Sequence, residues 1–238
     1  MKKLTVYYLL ATLLMAFGLS SCEIIESGLE PRHPEDKYFN LSGFDKLEMG
    51  DGFQVEVKQS ANYRIFVKGD RRDIDDLVVR VSGGQLKMYF SKWRAKRYRM
   101  EVEIEMPDLK ETDFSGAVNA YVKGFNNLDQ LYIDLSGASK ATFVTQAKGY
   151  DIDLSGASDL IIEGNGKNLE AEISGASKLY AFDADIEKAN LDVSGASSAK
   201  VTVSNNLRVS ASGASKVRYR GNPVVSSNTS GSSHVEKD

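Results

Sequence analysis

Cysteine occurs once in the 238 residues, tryptophan once, histidine twice and proline four times. Each scarcity removes a class of chemistry or structure. The single thiol, Cys22, excludes an internal disulfide. His33 and His234 lie near the two ends, so Ser–His, Cys–His and histidine–metal arrangements have no partners to draw on. No segment carries a helical period. The apolar run from Leu4 to Phe17 is shorter than the roughly 20 residues a membrane-spanning helix needs. Basic residues do not dominate either: 30 Lys and Arg stand against 33 Asp and Glu, a net charge of −3. An acidic balance argues against a nucleic-acid partner.

What is present begins with "MKKLTVYYLLATLLMAFGLSSC". Two lysines, an apolar stretch and small residues before Cys22 have the layout of a secretory signal over residues 1–21. "LSSC" resembles a bacterial lipoprotein box, which implies cleavage before Cys22 and acylation of that residue. Several acyl chains would hold the chain stably on a membrane, since each buried methylene contributes roughly 0.8 kcal/mol. Residues 22–37, with Pro31 and Pro34, read as a polar tether. Without Lys2 and Lys3, 28 bases face 33 acids and the net charge is −5. The expected location is the cell envelope, at the outer membrane, with the side left open. A plain signal peptide cut nearby is the alternative.

The strongest signal is an internal repeat. A serine followed by glycine recurs at Ser115, Ser136, Ser155, Ser174, Ser194, Ser212 and Ser230, at spacings of 21, 19, 19, 20, 18 and 18. Ahead of each marker serine, alternate positions are apolar, as in Leu131, Ile133, Leu135 and Tyr150, Ile152, Leu154. That is a strand with one buried face. A second short strand follows ("ATFVT", "LIIEG", "LYAFD"). Each unit of 18–21 residues is therefore one coil of an all-β solenoid, with equivalent positions about 4.8 Å apart along the axis. The drift in spacing fits a right-handed parallel β-helix, though periodicity does not fix the hand. Gly116, Gly137, Gly156, Gly175, Gly195 and Gly213 mark tight bends where a side chain would meet its own stacked copy. The leucine-rich frame is absent, and the drift in spacing disfavours a left-handed hexapeptide helix. Residues 109–238 form the regular coils. Residues 38–108 read as longer, diverged opening coils that cap one edge, with a separate N-terminal sandwich as the alternative.

The opening "FDKLEMGDGFQVEVKQ" and the recurring "DLSGAS" coils, from about Phe44 to the C-terminus, resemble the putative auto-transporter adhesin, head GIN domain family of bacterial envelope proteins. That resemblance implies an architecture similar to pectin-lyase-like β-helices and no catalytic residue or cofactor. The chain departs from the pattern at the name-giving Gly-Ile-Asn, where Gly52, Phe53 and Gln54 stand, so no role is carried onto them.

Three features invite a functional reading. Asp134, Asp153, Glu172 and Asp192, with Asp113 before them, precede the marker serines by two and face outward. They form a carboxylate ladder that is either a solvated face or a weak cation site assisting carbohydrate binding. Charges about 5 Å apart repel by roughly 0.8 kcal/mol in water and about 3 at an effective dielectric of 20. One carboxylate per coil supplies few of the oxygens calcium needs, so no metal is assigned. The serine rows, the markers and Ser139, Ser158, Ser177, Ser197, Ser215 and Ser233, either satisfy stacked backbone or offer hydroxyls to glycans. Finally, "SKWRAKRYRM" is a basic–aromatic loop. Trp93, Arg94, Arg97, Tyr98 and Arg99 are the candidate ligand contacts, unless Trp93 tucks under a coil.

The reading is a non-enzymatic, lipid-anchored envelope module for adhesion or recognition, with glycans or another envelope protein as partners. The alternatives are a polysaccharide lyase using an arginine base such as Arg208 or Arg218, and a passive structural scaffold.

Overall fold

The computed structural model describes residues 29–238. Cys22, the signal segment and the first part of the tether lie outside the described residues. Before the repeats, the strands are β1 (Pro34–Phe39), β2 (Lys46–Met49), β3 (Gln54–Gln59) and β4 (Arg64–Asp70). Then come a short helix, α1 (Arg71–Asp76), and β5 (Leu77–Ser82), β6 (Gln85–Phe90) and β7 (Glu101–Met106). The repeats hold β8 (Glu111–Phe114), β9 (Asn119–Lys123), β10 (Leu128–Leu135), β11 (Lys140–Leu154), β12 (Asp159–Ile173), β13 (Lys178–Val193) and β14 (Ser198–Ala211). The last strands are β15 (Lys216–Arg220), β16 (Val224–Thr229) and β17 (His234–Lys237).

The repeat dictates the register. Leu135, Leu154, Ile173, Val193 and Ala211 pair in line from β10 to β14, and every one is buried. Ala141, Leu160, Leu179, Ala199 and Val217 make the matching inward row on the second face. Fully burying a Leu or Ile contributes about 1.5–3 kcal/mol, and each coil adds several such side chains to a single continuous apolar core. The molecule is a parallel β-solenoid.

Its corners are the small-residue tetrads. Gly137, Gly156, Gly175 and Gly195 have φ of +71, +72, +74 and +73°. A Cβ on Gly156 would lie 2.5 Å from the carbonyl oxygen of Gly137. That close approach is what lets the corner continue the ladder: Ala157 N–H donates to Gly137 O and Ala176 N–H to Gly156 O, both at 2.8 Å. Only glycine combines the positive φ with the missing side chain.

The N-terminal part departs from simple stacking order. The coil formed by β2 and β3 is flanked on one side by β6 and β7 and on the other by β8 and β9, all parallel. In space the second coil of the chain therefore lies outside the first, and Pro107–Lys110 carries the chain back past it. Antiparallel pairings of β1 with β4, β4 with β7 and β5 with β6 supply the outer layer. Asp51, at φ +65°, is the one non-glycine with positive φ among the described residues. It occupies the corner position next to Gly116, and its carboxylate accepts the N–H of Phe90 at 3.1 Å. On the side away from Gly116 the neighbour is the end of β6 at Phe90 rather than another tetrad, so a side chain fits.

Candidate functional site

The basic–aromatic loop joins β6 to β7 and rests on α1. Asp70 caps the helix by accepting from Arg72 N–H, and also takes the His33 and Arg32 N–H groups. Burial works against ionisation of Asp70, but the three backbone donors hold its carboxyl below the usual range. The helix thereby presents Asp73 and Asp76, both buried, to the loop. Asp73 accepts from Arg97 and from the Tyr98 N–H, each at 2.9 Å. Asp76 pairs with Arg94, lies 3.4 Å from Arg97 and has Lys92 at 3.2 Å. Arg94's hydrogen bond, with help from Lys92 and against the cost of burial, keeps the Asp76 carboxyl far below its ordinary value. The Arg97 guanidinium also covers the Phe90 ring at 3.6 Å.

The arginines thus differ from the free cluster the sequence suggested. Arg94 and Arg97 are consumed by buried carboxylates, and Arg99 reaches Glu30 and Glu101. What the network leaves in solvent is Trp93, 87% exposed. Beneath it is a cavity of about 250 Å³ lined by Phe53, Phe90, Tyr98 and Met100 along with Asp51 and Gly52. Reading the sequence alone missed the role of "RRDIDD"; its acids, next to a loop rich in arginine, were the available signal.

The carboxylate ladder is longer than its repeat positions. Glu48 stands beside Asp113, followed by Asp134, Asp153, Glu172 and Asp192, and Lys87 pairs with Glu48 at the far end. A second outward row, two residues earlier on each strand, adds Glu111, Asp151 and Glu170. Burial first, then Asp153, raises the Asp134 carboxyl; burial and Asp134 raise Asp113; burial and Glu170 raise Asp151. Among the described residues no three His, Cys, Asp or Glu side chains converge to hold a metal.

The serine rows separate into two kinds. The marker serines lie at the surface, but Ser139, Ser158, Ser177, Ser197 and Ser215 are buried. The latter offer nothing to a ligand. Ser158 Oγ donates to Ser155 O at 2.9 Å and Ser215 Oγ to Val193 O at 3.1 Å, so these two hydroxyls satisfy the corner backbone, whereas Ser139 Oγ is buried without a partner. The inward turn of the chain after each tetrad places them inside, which a period-two reading through the bend does not reveal. Of the arginines considered as a base, Arg218 is held by Glu236 at 2.8 Å.

A wider concavity lies elsewhere. Where β11 to β14 bend from the second face to the first, a groove of about 870 Å³ runs along the stack. Its floor is an inward row of Leu128, Ala147, Gly166, Ile186 and Val203 in register. Gly166 has no room for a side chain, because the Tyr150 ring lies 2.9 Å from where its Cβ would be.

Fold and surface together define a parallel β-solenoid that displays regular outward ladders, the exposed Trp93 corner and an axial groove. The family profile of "Putative auto-transporter adhesin, head GIN domain" matches residues 43–223, and the chain belongs to that family. The fold recurs in a putative adhesin from Bacteroides fragilis, 16% identical, with a TM-score of 0.75 over 88% of this chain and 99% of that one. A putative adhesin from Parabacteroides merdae is 17% identical, with a TM-score of 0.70 over 88% and 98%. A putative lipid binding protein from Parabacteroides distasonis is 18% identical, with a TM-score of 0.66 over 87% and 97%. No curated protein matches the sequence. Among the described residues no helix is long and apolar enough to cross a membrane.

Proposed function

We propose that the chain is a non-enzymatic recognition module of the bacterial cell envelope, held on the outer membrane through acylated Cys22 and contacting its partner at the Trp93 corner. The observation that carries this reading is the contrast between the tryptophan and its support. Two buried carboxylates are desolvated to fix Arg94 and Arg97, an arrangement that costs several kcal/mol per ion before pairing. The result is a rigid platform under an aromatic ring left in water. A large exposed aromatic beside a partly apolar cavity marks a contact site, because its amphipathic ring offers a large area to bury. With the arginines occupied, the ligand recognised here presents an apolar or C–H-rich face, such as the flat side of a sugar ring, rather than an anion. Family membership in an adhesin group supports the same class of function.

The test is binding of the full-length protein, in detergent, to a glycan array and to isolated envelope fractions. Trp93→Ala is expected to weaken binding about tenfold or more with no change in the unfolding midpoint. Unchanged binding would remove the site. A second reading is favoured by the apolar lining of Phe53, Phe90 and Met100 beneath Trp93, and by a structural relative described as a putative lipid binding protein. Trp93-dependent sedimentation with neutral phosphatidylcholine vesicles, without any glycan signal, would select lipid.

A further inference from the structure

We infer that the axial groove is a second binding site, for an extended, uncharged, hydroxyl-rich polymer: a linear neutral glycan lying parallel to the solenoid axis. The proposal rests on the recognition reading above and adds a separate place and a ligand class.

Shape is the first argument. Six successive coils contribute to the groove, from Asn126–Leu128 to Gly221–Asn222. Five intervals of about 4.8 Å make a trough about 24 Å long. It is far longer than one small molecule, and its contacts repeat once per coil. Such a site suits a polymer whose own units repeat on a similar length.

Chemistry is the second. The rim on one side is the in-register row Gln146, Asn165, Asp185 and Thr202. Primary amides carry both donors and acceptors, as hydroxyls do. The opposite rim holds Lys148, Lys167 and Glu187, so the two lysines are balanced by Asp185 and Glu187, and Lys148 is further paired with Asp129. A groove without net charge favours neither a polyuronate nor a polycation.

Backbone accounting is the third. A peptide adding as a strand needs free N–H and C=O groups along an edge. Here the Gln146 rim and the floor sit inside the coil-to-coil ladder, Gln146 to Asn165 to Asp185 and Ala147 to Gly166 to Ile186. Lys148, Lys167 and Glu187 on the other rim stand singly at the bend between paired stretches. No continuous edge is open to an added strand, and the side chains along the Gln146 rim are the kind that grip hydroxyls. The floor is bare because its side chains turn into the core, as at Gly166, whose Cβ position faces the Tyr150 ring, which leaves backbone towards the groove.

Calorimetry on the full-length protein with β-1,4-linked glucose and N-acetylglucosamine oligomers of two to eight units, with polygalacturonate as the charged control, tests the site. Affinity is expected to rise with chain length until the trough is filled, at about five units by the coil spacing. The double variant Gln146→Ala/Asn165→Ala, both positions exposed, should weaken the longest oligomers about tenfold or more. Trp93→Ala should leave that length dependence intact. Affinity independent of length, tighter binding of polygalacturonate, or full binding by the double variant would each overturn the groove assignment. If no oligomer binds the groove while envelope binding still depends on Trp93, this inference fails and the recognition reading stands. If length-dependent binding persists while Trp93→Ala leaves envelope binding unchanged, the groove stands and the Trp93 contact falls.

Discussion

At the scale of single residues, the corner glycines carry the geometry. Gly156→Ala would place a methyl 2.5 Å from the Gly137 carbonyl at φ +72°, whereas Gly83→Ala, at φ +59°, meets nothing within 4 Å. The left-handed conformation alone costs about 1–2 kcal/mol. Gly83→Ala should therefore lose about 1 kcal/mol and Gly156→Ala about 3 or more, since two coils must part. Urea midpoints of the two variants check the contrast. The corner was legible in the sequence because serine and glycine mark it seven times. The burial of Ser158 and Ser177 was not, because the chain changes direction between Gly156 and Ser158 and the alternation has no meaning there. The groove floor was equally hidden: Ala147 and Gly166 signal nothing individually, and only register makes them a surface.

At the scale of elements, α1 and the carboxylate ladder respond to pH with opposite signs. Asp76 is depressed in the folded state, so its stabilisation is present above its unfolded value near 3.9 and is lost as pH falls through the folded one. Asp76→Asn should cost about 3 kcal/mol at pH 7, and its deficit against wild type should narrow below about pH 4. Asp134 is raised by burial and by Asp153. Its charge destabilises the fold above the folded pKa, and that penalty is relieved as pH falls through it. Asp134→Asn should raise the melting midpoint at neutral pH. The gain should shrink in high salt and vanish on acidification. Midpoints of both variants from pH 3 to 7, at low and high NaCl, should show the two slopes diverging. The ladder was readable from spacing alone. The helix network was not: Asp76 and Arg94 are 18 residues apart, with no period linking them. Nor was the order of the opening coils, because β2 pairs equally well with β6 and β8 and local pattern cannot say which neighbour comes first in the chain.

For the whole molecule, stacking implies that a coil is a removable unit. Deleting residues 175–194 joins Ser174 to Gly195 and restores the same Ser-Gly-Ala-Ser corner. The shortened protein should remain folded with native-like circular dichroism, while deleting only residues 175–184, half a coil, should not. In the shortened protein the trough loses one coil, so the oligosaccharide length at which affinity levels off should fall by about one unit. The interleaving of the first coils has a different consequence. Residues 46–59 cannot finish their pairing until residues 85–106 have closed on one side and 111–123 on the other. The early chain, with the first repeat, thus ties a clasp before any later repeat can dock. Every later coil then has one surface on which to settle, and a chain crossing a membrane N-terminus first would be wound up from the far side, each layer drawing the next through behind it.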